Sequence, residues 1–384
     1  MHKLSEVLTL LVSHNIPFFI YQLPQEDTFV LGIQKEKQLQ EWHADSFSNR
    51  DGFLFAPFSI DRNAAYFICA DSSFRLKKNK HDTALLPEKL LEIACGIIFD
   101  ALPAVSDDYV ATKSDYIEVC NQYIANIRNG KPEKAILSRI VVSDKSSRKD
   151  AGELFLSLAS SYPSAFVFLV NLPGVTCWAG ASPETLLHVD ENGFRTMSLA
   201  GTQRWEERKS DDPANWTKKD KEEQAFVTRY IESLLQKFIQ EEKAFHPEIE
   251  LHKSELKVKR AGNVGHLLTE FSCRLPLSSQ QLQRLVNMLH PTPAVCGTPK
   301  EEALALILEK EKHQRAYYAG YLGPVSKEGR CDLFVNLRCA RLCEDHLSIF
   351  VGGGITADSE PEKEWEETCL KAETILNVIN KKSS

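Results

Sequence analysis

What this chain of 384 residues lacks narrows the field before any motif is read. It has no C-x-x-C pair: its ten cysteines stand singly, Cys69, Cys95, Cys120, Cys177, Cys273 and Cys339 among them, mostly in apolar surroundings. That pattern argues against zinc spacing and a disulfide framework, and predicts free thiols in a reducing compartment. No apolar run approaches the roughly 18 residues of a membrane helix. The two apolar stretches of Met1–Ile20 are divided by His14, Asn15 and Pro17, without a basic leader or a small-residue cleavage site, so no signal peptide is expected. Basic excess is missing too. The formal net charge is -7, which disfavours a nucleic-acid partner but leaves room for a small anionic substrate held by local Arg or Lys. Repeats, low-complexity runs, G-x-G-x-x-G and G-K-[ST] are all missing, so nucleotide binding has no support. A soluble, cytoplasmic, globular protein is the expectation, and 43% hydrophobic residues suffice for a real core.

Residues 1 to about 105 mix a short helix, strand-like runs at Phe53–Phe58 and Ala65–Ala70, and a helix predicted over Pro87–Phe99. The loop Pro103–Asp108 is the best candidate boundary, dividing residues 1–105 from 106–384. A helix follows over Lys113–Asn129, with Tyr116, Cys120, Tyr123, Ile124 and Ile127 at helical spacing. Short β-branched and aromatic runs then predict strands at Lys134–Ser143, Ala165–Asn171, Val175–Ala179 and Thr185–Val189. A long helix is predicted over Lys218–Lys243. Three more strands are predicted at Arg315–Gly323, Leu333–Leu342 and His346–Gly352, and a last helix over Pro361–Asn380. Strands and helices come in blocks, which indicates an α+β arrangement with large sheets.

Two helices carry acids on their apolar stripe. In the long helix the stripe Val227, Tyr230, Ile231, Leu234, Leu235 and Phe238 extends back to Glu223 and Asp220. In the last helix Ile375, Val378 and Ile379 extend back through Lys371 to Glu367 and Glu364. First-turn acids often just complement the helix dipole. Acids on a buried face need neutralising, and an all-oxygen set suits Mg²⁺. The run Gly352-Gly353-Gly354 ahead of that helix reads as an anion nest or a tight turn. Arg338, among apolar Val335, Leu337 and Cys339, needs an anionic partner: a structural carboxylate or a substrate's.

Taken in order, Lys134-Ala-Ile-Leu-Ser-Arg139, Gly180-Ala-Ser-Pro-Glu-Thr-Leu-Leu187, Leu199-Ala-Gly-Thr202 and Lys219-Asp-Lys-Glu-Glu-Gln224 resemble the chorismate-utilising enzymes. The ordered set continues through His290-Pro-Thr-Pro-Ala-Val-Cys-Gly-Thr-Pro299, Arg315-Ala-Tyr-Tyr-Ala-Gly320, Val335-Asn-Leu-Arg338 and Gly352 to Lys371. It covers roughly residues 110 to 380, while residues 1–105 match loosely, as a weaker part of the same fold. The resemblance implies two stacked antiparallel sheets flanked by helices, with the site between them. It implies that Glu223 and Glu367 hold Mg²⁺, with Asp220 and Glu364 one turn away orienting the metal's waters. Gly201, Thr202, His290, Arg338, the amides of Gly352, Gly353 and Gly354, and Lys371 would bind the substrate, chorismate. Lys134 would be the general base that activates water and Glu184 the general acid that protonates the leaving hydroxyl. Read without the resemblance, Lys134 is an ordinary strand lysine and Glu184 a structural acid after Pro183.

Within the family, members that use ammonia generally have Gln where Lys134 stands, so the resemblance implies water as nucleophile and no amidotransferase subunit. Ala200 stands where aminodeoxychorismate synthases generally carry Lys. What remains is isochorismate synthase, an isomerase whose product feeds menaquinone and catechol-siderophore biosynthesis. The alternatives are salicylate synthase, which goes on to eliminate pyruvate, and an inactive chorismate-binding relative. Gln224 stands where a His usually follows the metal-binding Glu, and an amide cannot take up a proton there.

Overall fold

The run Phe166–Leu172 shows why this chain forms layers, since every residue of it is buried. Phe166, Phe168, Val170 and Leu172 enter one core, whereas Val167 and Leu169 enter another. With side chains alternating across a strand, that division means a strand covered on both faces. Phe18–Gln22 is built the same way, with Phe19 and Tyr21 in the first core and Phe18 and Ile20 in the second.

The computed structural model describes residues 4–36, 38–42, 50–78, 109–130, 132–205, 212–261 and 264–380. They form two antiparallel sheets. The nine-stranded sheet runs Gly297–Thr298, Lys134–Ser143, Leu347–Ile355, Cys339–Leu342, Thr176–Ser182, Phe166–Leu172, Phe18–Gln22, Thr28–Ile33, Ser72–Lys77. The ten-stranded sheet runs Leu251–Lys253, Val264–Cys273, Gly193–Arg204, Thr185–Asp190, Cys331–Val335, Tyr321–Val325, Gly52–Ala56, Tyr66–Cys69, Gln40–Glu41, with Lys257–Ala261 also paired to Val264–Cys273. The residues upstream of 78 therefore supply strands to both sheets. The predicted helix Pro87–Phe99 and the boundary at Pro103–Asp108 lie outside the described residues.

Aromatic rings join the sheets. Phe166 stacks on Phe334 of the opposite sheet with ring centroids 4.0 Å apart, and Phe19 stacks on Phe53 at 4.9 Å. Replacing Phe166 by Ala would cost about 3–5 kcal/mol, from lost transfer energy plus the cavity left. The outer face of the nine-stranded sheet packs on helices Leu4–Ser13, Ala151–Ser161 and Pro361–Asn380. The helix Lys218–Glu242 lies on strands Gly193–Arg204 and Val264–Cys273. No described helix is long and apolar enough to cross a membrane.

Three expectations are corrected. The run Leu333–Leu342 is not one strand: Cys331–Val335 belongs to one sheet, Cys339–Leu342 to the other, and the chain crosses between them at Asn336–Arg338. The run Arg315–Gly323 is a strand only from Tyr321 onward. One residue causes both breaks. Asn336 donates its side-chain amide to Tyr317 O at 2.8 Å, while its backbone pairs with Ala319 and Gly320. The stretch Gly352–Gly354 is no turn either, since it continues the strand Leu347–Ile355 opposite Ser138, Leu137 and Ile136.

Candidate active site

Where the layers part, a cleft of about 750 Å³ opens to solvent. Of the residues singled out in the sequence, Glu184, Gly201, Thr202, Glu223, Arg338, Gly352, Gly353, Gly354, Glu367 and Lys371 line it. Lys134 reaches it through Glu223. Asp220, Glu364 and His290 are not in its wall.

At one end, carboxylates meet lysines. Lys134, 4% exposed, donates its Nζ to Glu223 Oε1 at 2.7 Å. Lys371 Nζ lies 2.6 Å from Glu367 Oε1 and donates to Gly352 O at 2.8 Å. Glu364 is buried behind them, accepting from Ser359 Oγ at 2.7 Å and from Lys219 Nζ at 3.2 Å. Burial opposes ionisation of Glu223, but Lys134, Lys371 and Lys219 overcome it and hold its carboxyl below the usual range. Glu364 shifts the other way, pushed up by burial and by the like charge of Glu367.

The glycines make room for this cluster. A Cβ on Gly354 would fall 2.8 Å from Lys134 Cε and 3.1 Å from Glu223 Oε1. A Cβ on Gly353 would lie 3.4 Å from Glu364 Oε2, 3.8 Å from Glu367 Oε1 and 3.8 Å from Tyr116 Oη. Space for neighbouring side chains, and not a turn, is the physical reason for glycine here. The Tyr116 hydroxyl is buried and has no hydrogen-bond partner among the described residues.

Glu184 faces the cleft from a strand irregularity that shifts the register between Thr185 and Leu187. Ser182 Oγ accepts its N–H at 3.3 Å, and its carbonyl accepts from Val335 N at 3.0 Å. Lys259 Nζ donates to the preceding carbonyl, Pro183 O, at 2.7 Å. Burial pushes the Glu184 carboxyl up to about 7, although Lys259, Lys134 and Lys371 all pull it down. An acid so placed can hold a proton near neutral pH.

Arg338 sits at the crossing between the sheets with φ 50°, a left-handed conformation that costs a non-glycine residue about 1–3 kcal/mol. It meets no carboxylate among the described residues. Its Nη2 lies 3.5 Å from His266 Nε2, whose ring places Nδ1 2.9 Å from Gly201 O. A proton on Nδ1 satisfies both contacts, leaving Nε2 to accept from Arg338. Burial, helped by Arg338, drives His266 down to about 3, so the imidazole is neutral. His266, Lys259 and Tyr116 were not found as site residues in the sequence. A lone His or Lys in a half-apolar strand carries no spacing signal.

Two residues sit elsewhere than expected, and the position of a third, Gln224, gives it a structural contact. Asp220 Oδ2 accepts from Thr217 Oγ1 at 2.6 Å and from Gln203 Nε2, and Asp220 N donates to Thr217 Oγ1 at 3.1 Å. Its carboxylate braces the N-cap residue Thr217 at the helix start, a bland role for a first-turn acid. His290 turns its Nε2 to Phe58 O at 3.2 Å and its ring edge to Tyr321. The neighbouring Ala294 and Val295 reach the cleft instead. Gln224 donates to Ser198 O at 3.0 Å and Ser198 Oγ at 3.1 Å, so it ties the helix to its strand beside Glu223.

Among the described residues no group of three or more His, Cys, Asp or Glu closes on one point as a metal set. Mg²⁺, however, binds through one or two carboxylates and keeps several waters. Glu223 and Glu367 flank adjacent glycines, with the orphan Tyr116 hydroxyl and Glu364 beside them. That donor chemistry fits a hard cation.

The chorismate binding enzyme family model matches residues 98–380. The isochorismate synthase EntC of Escherichia coli K12 is 32% identical over 253 residues, which are 64% of this chain and 62% of that protein. The match thus spans less than two thirds of that relative's length. The isochorismate synthase DhbC of Bacillus subtilis is 29% identical over 288 residues, 70% of this chain and 69% of that one. Among solved structures, the DhbC protein of Bacillus anthracis superposes with a TM-score of 0.74 at 25% identity, covering 98% of this chain and 100% of that one. The menaquinone-specific isochorismate synthase MenF of Escherichia coli shares the fold, with a TM-score of 0.73 at 20% identity over 97% of this chain and 91% of that one. Ordered motifs, stacked sheets and matched family model agree: the chain belongs to the chorismate binding enzyme family.

Proposed function

We propose that the cleft converts chorismate to isochorismate, an isomerisation in which water enters at C2 and the C4 hydroxyl leaves. One observation carries this reading. Lys134 and Lys371 each meet a carboxylate, whereas Arg338, in the same cleft, meets none among the described residues. A guanidinium held in a strained conformation against a neutral His suits the carboxylate of a substrate that carries two. Lys371 and the amide edge of Gly352–Gly354 line the same cleft and suit the second.

Lys134, as the neutral amine, takes a proton from water as its oxygen bonds to C2. The C1=C2 electron pair moves to C1–C6, the C5=C6 pair moves to C4–C5, the C4–O bond breaks, and Glu184 gives its proton to the departing hydroxyl, which leaves as water. Glu223 and Glu367 would hold Mg²⁺, with Glu364 oriented toward its waters. When bound, the ion supplies positive charge that neutralises a substrate carboxylate. Lys134 in place of Gln, and Ala200 in place of Lys, favour water over ammonia or a covalent adduct, so no amidotransferase subunit is required. Free, mostly buried thiols fit a cytoplasmic protein.

Chromatography of protein incubated with chorismate and Mg²⁺ tests the reading. Isochorismate supports it. Salicylate with pyruvate would replace it with the synthase that continues to elimination, and no turnover would reject it.

A further inference from the structure

The strand that carries Lys134 is almost an edge. One side pairs with Leu347–Ile355 along its length, while on the other, among the described residues, only Lys134 and Ala135 find strand partners, in Thr298 and Gly297. Beyond them Ile136 N still reaches Cys296 O at 2.8 Å, and then the neighbouring chain turns away. Buried backbone groups at such an edge must be satisfied somehow.

Two charged side chains do this. Arg315 Nη2 donates to Ile136 O at 2.7 Å, and Ser138 N donates to Glu311 Oε1 at 2.7 Å. The partners lock to each other through Arg315 Nε–Glu311 Oε2 at 2.8 Å and Nη2–Oε1 at 2.6 Å, both side chains being 3% exposed. Arg315 Nη1 continues to Val295 O at 2.8 Å, and Glu311 Oε1 also accepts from Ser138 Oγ at 2.8 Å. Ile136 and Val295 both line the cleft. The guanidinium lies 4.5 Å over the Phe58 ring, and Phe58 O in turn holds His290.

We propose that the Glu311–Arg315 pair is a positioning unit of the cleft: it replaces the missing neighbour strand beside Ile136–Ser138 and fixes the wall from which Lys134 projects. A buried ion pair is a poor stabiliser compared with apolar side chains of equal volume. Apolar residues would leave Ile136 O, Ser138 N and Val295 O without partners. The pair's value here is geometric. Arg315 makes both contacts with the cleft wall, at the backbone carbonyls of Ile136 and Val295, while Glu311 holds Ser138 behind it.

The proposal rests on Lys134 being the base, so its test has a readout independent of turnover. In the full chain, Glu311→Leu with Arg315→Met removes both charges at once and avoids an orphaned one. Amide exchange at Ser138 should become at least about 100-fold faster, while circular dichroism shows the fold retained. With chorismate, kcat should fall about 100-fold with KM changed far less, as expected when a reacting group shifts by about 1 Å. A folded double variant with unchanged Ser138 protection, or with wild-type kcat, overturns the proposal. Should that variant not fold, Arg315→Lys decides: it keeps the charge but loses the fork. A folded R315K with faster Ser138 exchange and lower kcat supports the unit, and wild-type values for both refute it. If wild type leaves chorismate untouched while the double variant loses Ser138 protection, the proposed chemistry falls and the positioning unit stands.

Discussion

The helix Lys218–Glu242 begins with Asp220 folded back on its own N-terminus, bonded to Thr217 and Gln203, whereas Pro361–Asn380 begins with Glu364 turned inward against Lys219 and Glu367. Both helices then present a second acid to the cleft three residues later, Glu223 and Glu367. The two first-turn acids, third and fourth residues of their helices, each precede the cleft acid by three residues and differ in what holds them. Thr217 captures Asp220 as a cap, while the helix starting at Pro361 has Ser359 bonding Glu364 from behind, which leaves that carboxylate in the cluster. Phase decides which acids can face the cleft, and capping chemistry decides which of them do.

The largest effects should come from the inward pair and the groups they face. Glu223→Gln, Lys134→Ala and Glu184→Gln should each lower kcat by about 10²–10⁴ with circular dichroism unchanged. Near-normal rates in any of them would remove that residue from the chemistry. Chelation should do the same to wild type, with Mg²⁺ restoring the rate. Glu364→Gln comes next. Its Mg²⁺ affinity, measured by calorimetry, should weaken about 10–100-fold, and an unchanged affinity would put Glu364 in the same class as Asp220.

The pH dependence is milder. Glu184 must be protonated to act, and burial sets its folded value at about 7. Wild-type kcat should therefore fall about tenfold per pH unit above that value. Because the folded value lies above the ordinary 4.5, the buried carboxylate destabilises the fold as pH rises through that window. Glu184→Gln should thus melt higher than wild type above pH 7 while nearly inactive, and an equal or lower Tm there would contradict the burial argument. Smallest of all is Asp220→Asn. It should lose about 1 kcal/mol or less in urea unfolding and keep kcat within about twofold. A large activity loss would show that Asp220 serves the cleft after all.

Much of the site was legible in the sequence because helical phase is a local property. Glu223 and Glu367 follow from stripes that begin four and eight residues further along, at Val227 and Ile375, and both line the cleft. Asp220 could have been separated by the Thr217-x-x-Asp220 spacing, which is itself a cap signature. The strand Lys134–Ser143 and the helix Pro361–Asn380 appear with the bounds predicted. The helices Ala151–Ser161, Ser279–Leu289 and Lys300–Lys310 and the strands Gly193–Arg204 and Val264–Cys273 were not predicted, and His266 went with the last of these. The split of Leu333–Leu342 was illegible for another reason. Apolar residues recur along it on both sides of Asn336, and the break is set by Asn336 bonding to Tyr317 and Gly320, contacts between segments distant in sequence.

The crossing at Asn336–Arg338 has one more consequence. Within three residues the backbone leaves one layer and enters the other, and Arg338 stands at the hinge line with its side chain in the cleft. Any sliding of the layers must pull on that residue, so an anion seated on its guanidinium acts as a bolt through both. Substrate-sized dicarboxylates should then raise the melting temperature of the whole body, as any ligand of the folded form does. Ligand affinity and mechanical stiffness become two measurements of the same contact.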